Sequence, residues 1–204
     1  MSVPTAPVPS VPGYRPYPAA GLEDVAALPR AGLLARYARG VENFDRRVFD
    51  LSPQQLDAAF PPEAGVGEWP VRVLLGHLAD ADLVFTHRLR RVVGEDNPVF
   101  STWDENQFIE AGLYGPPRAG PAGADGFAAG GFVAVIHTLR AWTGPWLATL
   151  DDPRWDRQGL HPEYGPQSVR RIVAVTTWHL EHHARYLNLK VARLLGPVSA
   201  GEGA

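Results

Sequence analysis

The run Trp178-His179-Leu180-Glu181-His182-His183 places two histidines, His179 and His183, four residues apart. On a helix such a pair stands one above the other, with Cβ atoms about 5–6 Å apart, so two imidazoles can bind one metal ion. A third histidine, His77, lies far upstream in a second segment of helical periodicity. Three imidazoles and an open position make the kind of site in which proteins hold catalytic zinc and similar metals. Cysteine is absent. That excludes a disulfide frame, a thiolate ligand and a cysteine nucleophile, so any thiol chemistry must use a thiol brought by the substrate.

Four apolar stripes must position these residues. Leu34, Tyr37, Val41, Phe44, Val48 and Leu51 step by three and four and predict a first helix, ended by Ser52-Pro53. Pro70 reads as the first position of a second helix running to about residue 93. Its stripe is Leu74, Leu78, Ala81, Phe85, Leu89 and Val92, closed by Gly94, Asn97 and Pro98. A Gly/Pro-rich loop covers residues 112–123. Ala128, Phe132, Val135, Leu139, Trp142 and Trp146 mark a third helix, which Gly144-Pro145 should kink or restart. Val169, Ile172, Thr176, His179, His183 and Leu187 mark the fourth. No stretch alternates with period two, so no strand is expected. The fold class implied is all-α: a four-helix bundle over residues 21–196, with short extra helices and long Gly/Pro-rich loops. Residues 1–20 carry six prolines and read as an extended, disordered tail; residues 197–204 read as a flexible one.

At about 100° per residue, His183 falls near the centre of the fourth stripe and His179 about 40° from it, whereas Arg170, Glu181, Arg185 and Asn188 share the opposite face. Two imidazoles turned into a bundle cost desolvation unless each has a partner, and a metal satisfies both. In the second helix Val73, His77, Asp80 and Val84 form a line beside the main stripe. Asp80 is therefore a candidate to accept a hydrogen bond from a ligand imidazole or to act as a base on bound water. His182 reads as an edge residue. His87 lies about 15 Å along the helix from His77, too far to join the site, and His137 lies opposite its stripe. His161, beside Pro162, is a loop residue that could add a fourth ligand. Trp69, Trp142 and Trp146 read as packing, while Trp103 could line a pocket.

The 204 residues are 45% hydrophobic and 20% charged, with a net charge of −3. They fit a globular domain and give no electrostatic footprint for nucleic acid or an anionic membrane. With no membrane-length apolar run and no signal-peptide layout, the expected location is the cytoplasm.

The segment Glu68-Trp69-Pro70-Val71-Arg72-Val73-Leu74-Leu75-Gly76-His77-Leu78-Ala79-Asp80 resembles the second-helix signature of the DinB-like (YfiT-like) superfamily, and Trp178 to His183 is similar to its closing motif. The resemblance spans Leu22 to Leu195. It implies a four-helix bundle, often dimeric, with a divalent metal on His77, His179 and His183. The metal implied is zinc or nickel, with iron and manganese as further candidates. Members include metal-dependent transferases and isomerases that use bacillithiol, mycothiol or glutathione, and proteins described as hydrolases. The leading expectation is an S-transferase of detoxification that joins a low-molecular-weight thiol to an electrophilic small molecule. Hydrolysis of a small amide or ester is the alternative, and a non-enzymatic metal- or ligand-binding bundle stands outside both.

Overall fold

Two long antiparallel helices carry the three histidines. In the computed structural model, which describes residues 20–115 and 128–196, α4 spans Val71–Gly94 and α8 spans Val169–Leu195. Their antiparallel course follows from His77 meeting His179 while Asp82, further along α4, meets the earlier Thr176. The Ser168 side chain caps α8 by accepting from the Arg171 N–H. Pro70 stands at the N-cap of α4, one place before the position expected for it. The other bundle helices are α2 (Arg30–Arg39) and α6 (Ala129–Ala148). Short helices α1 (Leu22–Ala26), α3 (Pro53–Leu56), α5 (Glu105–Glu110) and α7 (Asp152–Trp155) fill the connections. The expected tails, save Ala20, and most of the Gly/Pro-rich loop lie outside the described residues.

The core has two main parts. Leu75, Leu78, Ile136, Leu180 and Leu187 fill one end of the bundle; Leu33, Tyr37, Leu89, Leu147 and Val173 fill the other. No described helix is long and apolar enough to cross a membrane.

Three expectations need correction. First, the stripe from Leu34 to Leu51 is not one helix. α2 ends at Gly40, where φ is +43°, and the chain continues as 3-10 turns at Gly40–Asn43 and Arg46–Asp50. A Cβ on Gly40 would stand 2.8 Å from Cδ of Arg140, so the backbone turns where it must let that side chain pass. Asn188 of α8 then fixes the turn, accepting from the Asp45 N–H at 2.7 Å and donating to the Asn43 carbonyl at 2.9 Å. Phe44, Val48 and Leu51 still point inward.

Second, α6 buries a face one residue on from the one expected: Ala129, Val133, Ile136, Arg140, Thr143 and Leu147, with Val135 and Trp142 exposed. The helix is apolar nearly all round, and a buried ion pair rather than hydropathy chooses its inner face. It also continues through Pro145 to Ala148 without restarting. Trp142 and Trp146 lie against the Arg90 guanidinium, 3.7 and 4.4 Å from their ring centres.

Third, a small hairpin exists where no strand was expected. β1 (Gln158–His161) pairs antiparallel with β2 (Gly165–Ser168). It lies over Phe100, whose ring would be 2.4 Å from a Cβ at Gly159, and Leu160 exchanges backbone hydrogen bonds with Pro98 and Phe100.

Candidate metal centre

The position of the histidines depends first on a buried ion pair. Arg140 of α6 donates two hydrogen bonds to Asp82 of α4, at 2.6 and 2.8 Å, and one to the Thr176 carbonyl of α8 at 2.9 Å. The Thr176 hydroxyl donates to Asp82 at 3.0 Å, and a further Arg140 N–H reaches the Tyr37 carbonyl of α2 at 3.1 Å. Both charged side chains are at most 5% exposed. One guanidinium thus joins all four bundle helices. Asp82 lies five residues beyond His77 and Thr176 three before His179, so the same contacts set the relative height of the histidines.

Nε2 of His77 and Nε2 of His179 are 3.0 Å apart. The His179 and His183 ring centres are 4.6 Å apart, and those of His77 and His183 5.0 Å. One nitrogen from each ring falls within a group no wider than 4.8 Å. Tetrahedral zinc with bonds of about 2.0–2.1 Å sets neighbouring nitrogens about 3.3 Å apart, so small ring rotations suit these side chains to one ion. Nδ1 of His77 is buried with no hydrogen-bond partner, a cost that such a packed polar cluster bears without an outside ligand.

Burial holds all three imidazoles neutral. His77 lies below its ordinary value, though the Glu105 and Asp80 carboxylates oppose the shift. His179 lies well below, through burial and then the charges of His183 and His77; His183 is pushed down to about 3 for the same kinds of reason. Neutral imidazole is the form that binds metal. It also has a consequence for folding. Below about pH 6.5 the unfolded chain takes up protons on these residues that the folded chain does not, so stability must fall with falling pH. Metal-stripped protein is expected to lose stability from pH 6.5 downward, at up to about 1.4 kcal/mol per pH unit for each histidine. Urea titrations at several pH values check this; stability unchanged between pH 7 and 5 would contradict it.

Aromatic rings wall the cluster. Trp103 stacks on His77 at 5.3 Å between ring centres, Trp69 lies 5.0 Å from His77 and 6.1 Å from His183, and Phe85 meets His179 at 6.1 Å. Trp69 was expected only to pack; it does so and also faces two histidines. Trp103 lines neither of the cavities described below; it stacks on His77 and meets Phe108. Glu105, in the first turn of α5, acts on His77 more strongly than Asp80 does, and sequence reasoning did not find it.

Asp80 does not support a ligand imidazole as expected. It accepts from the Tyr114 phenol at 2.6 Å. Burial and that carboxylate both raise Tyr114, so the phenol keeps its proton. Gly76 makes this possible, since a Cβ there would be 2.3 Å from the Tyr114 ring. His161 lies outside the cluster, on β1 rather than in a loop, and its Nδ1 accepts from the backbone of Glu163 and Tyr164. His182 sits half-buried at the edge, stacked on Trp178 at 5.1 Å. Glu181 faces away and pairs with Arg36 at 2.6 Å.

Two cavities flank the centre in the α4–α8 groove. One, of about 520 Å³, includes Trp69, Leu74, His183, Tyr186 and Lys190. The other, of about 510 Å³, includes Phe85, Arg88, Phe100, His161, Arg171 and Val175. Because the helices are antiparallel, the first lies toward the start of α4 and the second toward its end.

A profile described as the DinB superfamily matches residues 12–187. A protein of Oceanobacillus iheyensis, named as a proposed metal-dependent hydrolase, is 28% identical over 140 residues, covering 69% of this chain and 73% of its own. YfiT of Bacillus subtilis, named likewise, is 26% identical over 148 residues, covering 72% and 74%. A solved structure of YfiT, described as an unusual four-helix bundle, superposes with a TM-score of 0.65 at 20% identity, covering 90% of this chain and 94% of that one.

Proposed function

The chain belongs to the DinB superfamily, and we propose that it is a metal-dependent enzyme whose ion is held by His77, His179 and His183. The reaction proposed is transfer of a low-molecular-weight thiol, of the bacillithiol kind, to an electrophilic small molecule. One observation carries this reading: three imidazoles close enough to share one ion stand beside a cavity that His183 lines, with a second cavity further along the same groove beyond Phe85, which gives room for a substrate and a cosubstrate. A divalent ion there, zinc or nickel with iron and manganese as further candidates, would supply a Lewis acid that lowers the pKa of a bound thiol or water.

The chain's own residues do the rest. Trp69, Trp103 and Phe85 pack against the histidines and offer polarisable faces to sulfur. Glu105, whose charge acts on His77, is the carboxylate proposed to take the thiol's proton; Asp80 is held by the protonated Tyr114. The chain has no cysteine of its own to be alkylated.

Hydrolysis of a small amide or ester is the second reading. Glu105, whose charge acts on His77, is a second candidate base for water beside Asp80, and the similar proteins of Oceanobacillus and Bacillus carry that proposed activity in their names. The two readings separate in one experiment. Metal-loaded protein is given bacillithiol or glutathione with monochlorobimane, and p-nitrophenyl acetate without thiol. Chelator-sensitive thioether formation supports transfer, and chelator-sensitive nitrophenol release supports hydrolysis. Failure of both across the four metals would leave a non-enzymatic binding bundle.

A further inference from the structure

The cavity toward the end of α4 contains a cation without a counter-charge. Arg88 is half-buried, with its guanidinium 5.8 Å from the Phe85 ring centre and 5.5 Å from that of Phe100. One of its N–H groups goes to the Ser101 carbonyl at 2.9 Å. Arg36, Arg47, Arg72 and Arg140 each hold a carboxylate, whereas Arg90 lies on two tryptophan rings and Arg170 on two backbone carbonyls; Arg88 differs from these in facing a cavity. Among the described residues no carboxylate pairs with Arg88. Burial pushes its guanidinium down, and only the Tyr164 phenol acts against that. A half-buried guanidinium with no carboxylate of its own is a ready partner for an anion.

The rest of the cavity suits the same ligand. Nδ1 of His161 accepts two backbone N–H groups, at 3.2 and 3.3 Å, which places the proton of the neutral ring on Nε2 and makes that nitrogen a donor. Arg171 lies at the cavity edge, and its only ion pair among the described residues, with Glu23, is exposed, so it exchanges partners at little cost. Leu22, Phe85, Phe100, Ile172 and Val175 make the remaining wall apolar. Phe85 is also the ring beside His179, so one side chain separates this cavity from the histidines.

We infer that this cavity is a subsite for a small organic carboxylate with an apolar body, held by Arg88 and directed past Phe85 to the three histidines. The inference rests on the proposed function in naming the occupant a substrate or thiol cosubstrate; the anion site itself does not. Either molecule can bring the carboxylate, and the shared chemistry is what Arg88 reads.

Phenylacetate and its uncharged counterpart phenylacetamide are the probes, with binding measured by calorimetry on full-length protein, both zinc-loaded and chelator-treated. The acid is expected to bind about tenfold or more tightly than the amide, as a charge-assisted hydrogen bond implies, and to do so in both preparations. Arg88→Gln should abolish the preference and Arg88→Lys keep part of it, with helical circular dichroism unchanged. The acid–amide comparison in wild type stands even if a variant folds poorly. Equal binding of acid and amide, or acid binding only with zinc present, would overturn the inference, the latter because the carboxylate would then be a metal ligand. Preference in chelated protein that yields no activity would leave the anion site standing while the proposed function fell.

Discussion

Replacing Asp82 with alanine is expected to cost about 3–5 kcal/mol of folding stability, because it leaves a charged guanidinium buried without its carboxylate. Arg140 is 3% exposed, and its remaining partners are the carbonyls of Tyr37 and Thr176 and the Thr176 hydroxyl. Burial alone would lower Arg140; the Asp82 carboxylate outweighs it and holds the guanidinium above its usual range. Removing the charge from both sides is a different experiment. The pair Asp82→Leu with Arg140→Met should be markedly less destabilising than Asp82→Ala alone, since hydrophobic replacement of a whole buried pair is often close to neutral. Urea denaturation of the three variants gives the comparison. A loss under about 1 kcal/mol for Asp82→Ala would mean that the pair does not tie the helices together as described.

His179→Ala is expected to lower metal affinity by more than about 100-fold, beyond the 10–100-fold that follows loss of an outer partner of a metal ligand. His179 is the natural choice for a single substitution, because its Nε2 is 3.0 Å from that of His77 and its ring is 4.6 Å from that of His183. It lies off the buried pair, so stability of the metal-free variant should match or exceed wild type at pH 5, where the neutral imidazole is a liability. Competition titration against a chromophoric chelator measures the affinity. Wild-type affinity in the variant would remove His179 from the site.

What was legible in the chain follows from where the information lies. His179 and His183 share a helix face through a local spacing of four, and His77 shares a line with Val73, Asp80 and Val84; the structure brings the three rings together. α4 and α8 were legible because each is long, has a marked apolar stripe and is bounded by proline, glycine or serine. α6 was misread for the opposite reason. From Ala128 to Thr149 the only formal charge is Arg140, so hydropathy offers no polar face to point away from the core. That lone charge was itself the available signal: in such a segment an arginine is either the single solvent-facing position or one end of a buried pair.

The break at Gly40 depends on Arg140, a hundred residues later, and no local pattern carries it. The hairpin has strands of four residues, too short to show alternation. Trp69 and Trp103 reach the histidines from irregular segments, and Glu105 acts on His77 from a short helix; in such segments neither period nor spacing tells which way a side chain faces. Asp80 was placed on the correct side of α4, but its partner Tyr114 comes from beyond α5. Arg88 is one of three arginines within four residues near the end of α4, and nothing local sets it apart. Only the hairpin packed over Phe100 reveals that it is half-buried without a carboxylate.

The central claim is that three histidines on two helices hold one divalent ion. Elemental analysis of purified protein, wild type beside the variant with His77, His179 and His183 all changed to alanine, tests it most directly. About one zinc, nickel, manganese or iron per chain in wild type, absent from a variant whose helical circular dichroism is intact, is the predicted result. A wild type that takes up none of these metals on repletion, or a variant that keeps its metal, would contradict it.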